Sequence, residues 1–225
     1  MVDNPTKAIG EIALVAIPVI IAITLHEAAH GYVARHFGDN TAERAGRISL
    51  NPLRHVDLFG TILLPALLLL SHAGFLFGYA KPVPVNFAGL RHPKRDMIWV
   101  AAAGPGMNIL LALISAILLY GTIGLGMIDN RFLLTALWTS VDINLVLAVF
   151  NLLPVPPLDG GRVAVGLLPQ PLSLWLAQLG RFGMLLLLAV FLLLPLAGIN
   201  LFHYLVQIPV DFVERPVLEM LGIQA

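Results

Sequence analysis

The sequence predicts an all-α polytopic membrane protein: a bundle of about four spanning helices, a re-entrant helix and extended (β-like) segment at 58–86, and a C-terminal helix lying in the membrane interface. Three observations carry this. Hydrophobic residues make up 58% of the 225 positions and charged ones 12%, where soluble domains usually show about 45 to 50% and about 25%. Four stretches, Ile9 to Phe37, Met97 to Tyr120, Phe132 to Leu153 and Phe182 to Phe202, approach the roughly 20 apolar residues that a spanning helix needs. The third observation is how basic residues sort between the two faces.

That sorting decides how to read Leu58 to His72, which is apolar but short and carries Pro65. If the segment enters and returns on one side, ten Lys and Arg residues face that side and only Lys7, Arg131 and Arg215 face the other; if it spans, the split is six to seven. Basic residues orient a membrane protein by their excess on the cytoplasmic side, so the first arrangement is expected. The return then runs through "FLFGYAKPVPVN", where Pro82 and Pro84 remove donors and push their neighbours towards extended geometry. Irregular backbone at membrane depth requires cover by protein or a wet cavity.

The other elements follow in chain order. The first apolar run has the length of a signal-peptide core, but only Lys7 precedes it and it continues into the patterned "HEAAHGYVARHF", so it reads as mature structure. Gly38 to Asp57 is a polar loop on the basic side. The tail from His203 mixes apolar residues with Asp211, Glu214, Arg215 and Glu219, as an interfacial helix does. The whole reads as one membrane-embedded domain, 1–225, with a core at about 12–161 and accessory helices over 162–225. Zero formal net charge argues against a nucleic-acid partner, and the absence of Cys removes disulfides and thiolate metal sites.

Chemistry concentrates in "HEAAH". On a helix, His26 and His30 share a face one turn apart, close enough to converge on one zinc, while Glu27 is left free to act on a bound water. Ionisable residues inside a membrane mark function by default. A catalytic zinc site uses three protein ligands and one open position. The best third donor lies in "NLLPVPPLDGGR": prolines 154, 156 and 157 break a spanning helix, and Asp159 follows with Gly160 and Gly161 permitting a tight turn. Read alone, the stretch is better explained as a proline-rich helix exit with an Asx turn. With the re-entrant topology both segments end at the same face, so the three ligands can meet.

"HEAAH", "GYAKPVPVN", "AAAGPGMN" and "NLLPVPPLDGGR", in this order, resemble the site-2 protease family of intramembrane zinc metalloproteases. The resemblance implies one zinc ion held by His26, His30 and Asp159, Glu27 as catalytic acid/base, Asn151 near the substrate, and a catalytic core of the first, second and third long segments. It implies regulated intramembrane proteolysis of a transmembrane-helix substrate within the lipid bilayer, and the basic-side assignment suggests a prokaryotic plasma membrane with the active site towards the cytoplasm. The chain leaves no room for the PDZ or CBS domain of many relatives, so regulation by such a module is not expected. Two other readings stand beside it: a divalent-cation transporter, which would spread its ligands along a path, and a catalytically silent membrane adaptor. Asp142 and Asn144 are expected to be structural, bonding across to "GPGMN", and the extended segment Gly78 to Asn86 is expected to receive substrate by strand addition.

Overall fold

The computed structural model describes residues 5–70, 78–127, 129–196 and 198–220. It is helical, with no strand among the described residues. α1 (Pro5–His36) leads into the one-turn α2 (Thr41–Arg44), a 3-10 turn (Pro52–Arg54), a π turn (Leu58–Leu63) and α3 (Leu64–Leu70). A 3-10 turn (Phe87–Gly89) then precedes α4 (Pro93–Gly124), α5 (Arg131–Leu152), α6 (Asp159–Leu167) and α7 (Leu172–Leu196), and the chain closes with a π turn (His203–Gln207) and α8 (Ile208–Met220).

Four helices are long and apolar enough to cross a membrane: Gly10–His36, Pro93–Gly124, Arg131–Leu152 and Leu172–Pro195. The first three coincide with the expected spans. The fourth starts ten residues before the expected Phe182, because Arg181 does not interrupt it: the guanidinium sits 4.9 Å over the Phe182 ring at the helix surface, a long cationic side chain keeping its stem on apolar surface. Pro195 and Gly198, whose φ is 78°, end this helix, since a positive φ suits glycine and not a continuing helix.

α1, α4 and α5 pack against one another, and α6 lies on α4. One apolar cluster joins Ala112 of α4, Val141 and Leu145 of α5, and Val206 and Val210 of the last helical arm; another joins Ala34, Leu90 and Val100. The C-terminal arm therefore rests one face on α5 and leaves Phe212 and Val213 exposed on the other. Residues 58–70 form the π turn and short α3, with Leu58, Phe59 and Leu67 exposed. The tip of the expected re-entrant unit, 71–77, lies outside the described residues. From Gly78 to Asn86 the chain takes neither helix nor strand. Its alternate donors nevertheless face one way, as in extended chain: Tyr79 N–H bonds Gly60 O (3.0 Å), Lys81 N–H bonds His55 O (2.8 Å) and Val83 N–H bonds Glu27 Oε2 (2.7 Å).

Candidate metal centre

The α1 register carries His26 and His30 to one buried face, at 7% exposure each. Asp159 arrives from the other end of the chain. After α5 the prolines of "LPVPPLD" stop the helix, and the chain folds back so tightly that a side chain at Gly160 would collide with the Leu152 and Leu153 carbonyls. Only glycine admits that approach. The fold-back makes Asp159 the first residue of α6, buried at 5% exposure, where a carboxylate also complements the helix dipole.

The three side chains meet at one point. His26 Nε2 and His30 Nε2 lie 3.1 Å apart, and Asp159 Oδ2 is 3.1 Å from the first and 3.2 Å from the second. Donors about 2.0 to 2.1 Å from a tetrahedral centre are roughly 3.3 Å from each other, so the triangle has the size that zinc imposes. The tautomers fit as well. His26 Nδ1–H donates to Asn108 Oδ1 and His30 Nδ1–H donates to Val100 O at 2.7 Å, which leaves both Nε2 lone pairs facing inward, as the second partners of metal-bound imidazoles do. Two inward lone pairs at such a separation repel unless a cation lies between them. The described residues thus contain one group of three side chains able to hold a metal ion, His26, His30 and Asp159.

The surroundings hold this geometry. A Cβ at Gly104 would strike Nε2 of both imidazoles, so glycine on the small-residue face of α4 keeps the space open. Asn108 Nδ2 donates to Asn144 Oδ1 at 2.8 Å, and Asn144 Nδ2 donates to Ser140 O at 2.8 Å, so the amide that receives the His26 proton is itself fixed from α5. Arg162 Nη1 lies 3.5 Å from Asp159 Oδ1, and its guanidinium stands 5.5 Å over the Phe87 ring. Burial pushes the Asp159 carboxyl up, but the two imidazoles 3.1 and 3.2 Å away outweigh it and hold the group well below the usual carboxylate range.

A cavity of about 500 Å³ opens on this cluster and is lined by His26, Glu27, His30, Asn151 and Asp159 among mainly apolar side chains. Glu27 spends Oε2 on the Val83 N–H, which leaves Oε1 to take a proton. Asn151 donates one N–H to Leu147 O at 2.9 Å, leaving a second N–H and its carbonyl oxygen. All five expected site residues therefore reach one cavity. Sequence reading missed the part played by Asn108, Gly104, Arg162 and the Val83 amide. A signal for Asn108 was present: a carboxamide on the small-residue face of a spanning helix must find a buried partner.

The profile of Peptidase family M50 matches residues 121–194, a stretch that holds Asp159 but neither histidine. "Putative zinc metalloprotease YwhC" of Bacillus subtilis is 40% identical over 184 residues, covering 78% of this chain and 78% of that one. "Putative zinc metalloprotease Rip2" of Mycolicibacterium smegmatis is 30% identical over 165 residues (70% of this chain, 58% of that one), and its namesake in Mycobacterium tuberculosis H37Rv is 28% identical over 202 residues (87% and 73%). No solved structure matches the chain. A membrane bundle whose two α1 histidines and one α6 aspartate form a zinc-sized triangle, with such relatives, places the chain in the site-2 protease family, peptidase family M50, as a multi-pass membrane zinc metallopeptidase.

Proposed function

We propose that this enzyme hydrolyses peptide bonds within or near transmembrane segments of membrane proteins, as in regulated intramembrane proteolysis, from an active site facing the cytoplasm. The single observation that carries the reading is the cavity that brings Glu27 to the His26–His30–Asp159 triangle inside a bundle of spanning helices. His26, His30 and Asp159 are the zinc ligands. Zinc held there supplies a Lewis acid that acidifies water and polarises the scissile carbonyl.

The chain's own residues supply the remaining steps. Glu27 takes the proton of the attacking water at Oε1 and delivers it to the leaving amine, while the Val83 N–H at Oε2 fixes its orientation. Asn151 uses its remaining N–H to position the substrate backbone near the scissile carbonyl. A substrate helix must unwind before attack, and its freed backbone groups need partners. The extended segment offers them on the edge opposite Tyr79, Lys81 and Val83, where Ala80 keeps an N–H and Pro84 has only a carbonyl, the Pro82 carbonyl already lying 3.4 Å from Arg47 Nη2. A substrate strand added there meets mostly acceptors, so its own N–H groups make the bonds. Introducing proline at Val83 would also release Glu27, so Ala80→Pro is the cleaner test: turnover should fall with zinc content unchanged.

The deciding experiment uses purified wild type and Glu27→Gln with a transmembrane-helix substrate. Wild type should cut and the variant should lose about 10²- to 10⁴-fold in rate while binding the same zinc. Equal cleavage by both would overturn the assignment. Metal-ion flux across vesicles without proteolysis would replace it with a transporter.

A further inference from the structure

A second surface, outside the metal centre, combines cations that lack acidic partners among the described residues with exposed apolar side chains. Arg54 Nη1 donates to Gly46 O, and Arg47 Nη2 donates to Lys81 O at 2.8 Å, which brings Arg54 next to Arg47 and Arg47 onto the backbone of the exposed Lys81, where the 46–57 loop meets the extended segment. Among the described residues none of the three forms an ion pair. Among the described residues Arg47 Nε is buried without a hydrogen-bond partner, and Lys81 is exposed. The one acid of this loop, Asp57, is occupied, its Oδ1 accepting from Phe59 N–H (3.0 Å) and Gly60 N–H (2.7 Å). Beside the cations stand Leu50, Leu53, Leu58 and Phe59, 62%, 77%, 69% and 54% exposed.

The patch follows α1 in the chain and lies alongside its last turns: Ile48, next to Arg47, faces Gly31, and Val83, two residues from Lys81, bonds Glu27. Exposed apolar side chains beside a spanning helix suit an acyl boundary, and long cationic side chains among them can reach a headgroup. Guanidinium forks pair with phosphate oxygens in bidentate fashion, and basic clusters next to a spanning helix bind anionic headgroups. We propose that Arg47, Arg54 and Lys81 form a binding site for the phosphate of an anionic phospholipid, with Leu50 and Leu53 inserted beside its acyl chains.

The position of the site gives the lipid a consequence. Arg47 holds the Lys81 carbonyl, the Lys81 N–H bonds His55 O, and two residues on the Val83 N–H holds Glu27. A headgroup that orders the arginines therefore steadies the segment that orients Glu27. Lipid binding itself is independent of the protease reading, so its test does not depend on cleavage.

Full-length protein is purified in detergent, and phosphatidylglycerol and phosphatidylcholine adducts are counted by native mass spectrometry for wild type, Lys81→Gln and Arg54→Gln/Lys81→Gln. Wild type should retain phosphatidylglycerol in preference, and the double variant should hold it about tenfold less tightly. Lys81→Gln covers the case in which losing the Arg54 bond to Gly46 harms folding: its ammonium has no partner to break and retention should still fall several-fold. Equal retention by wild type and Lys81→Gln overturns the site. So does displacement of the lipid by inorganic phosphate at matched ionic strength, which would mark a free-anion site. In vesicles, adding phosphatidylglycerol to phosphatidylcholine should speed cleavage by wild type and leave the double variant unmoved. A variant slowed equally in both vesicles would show that the patch grips an acidic part of the substrate and would overturn the lipid assignment.

Discussion

Asp159 and Glu214 are both buried carboxylates, at 5% and 8% exposure, and their surroundings send them opposite ways. Asp159 meets two imidazoles and is held low. Glu214 sits on α8 where burial, and then the charges of Asp142 and Asp211, push it up to about 7, with Oε1 unpaired among the described residues. Beside two imidazoles a carboxylate is kept charged and ready for a cation; beside other acids, with no cation among them, it favours a proton. The comparison separates the two polar regions of this bundle, one at the α1–α4–α6 junction and one at α5–α8. It also shows why counting acids in apolar sequence does not locate a site.

The sharpest way to break the comparison is to exchange a carboxylate for its amide on each side. Asp159→Asn should abolish retained zinc and hydrolysis together, whereas Glu214→Gln should leave the zinc content of purified protein unchanged. Loss of zinc in both would mean that the regions are not independent. Gly104→Ala comes next: a Cβ between the two imidazoles should displace zinc and cost about 1 to 3 kcal/mol of stability by overpacking, read as zinc content and a thermal midpoint. Asn108→Leu removes the acceptor that sets the His26 tautomer and should weaken zinc about 10- to 100-fold in chelator competition, and Asn144→Leu should produce a smaller loss in the same direction.

The smallest effect concerns pH. The folded value of Glu214 lies above its ordinary 4.5, so the stabilisation it gives α8 is complete below about 4.5 and is lost as pH rises through about 7. Hydrogen exchange of α8 amides, corrected for intrinsic rates, should speed over that window in wild type and not in Glu214→Gln.

Much of this was legible in the chain because membranes restrict the alternatives. Apolar length marked three of the four spans closely, and "HEAAH" with "LDGGR" named the triangle through side-chain spacing and a proline break. The start of α7 was hidden because Arg181, which looked like a boundary, lies on the surface of one continuous helix. Asn108 was visible as a polar group needing a partner, and Asn144 as one candidate for it, but that the pair serves His26 depends on the rotation of α4 against α1, which no local pattern records. The Val83 amide was hidden for the same reason. It reaches Glu27 through a backbone bond spanning 56 residues, and backbone donors carry no sequence signature.

The central claim is that two α1 imidazoles and the α6 carboxylate hold one zinc ion. Zinc-edge X-ray absorption on the purified protein tests it most directly. A first shell of two imidazole nitrogens at about 2.0 to 2.1 Å and carboxylate oxygen at about 2.0 to 2.2 Å, lost in Asp159→Asn, is the predicted result. Zinc retained with the same shell in that variant, or a shell without imidazole, would contradict it.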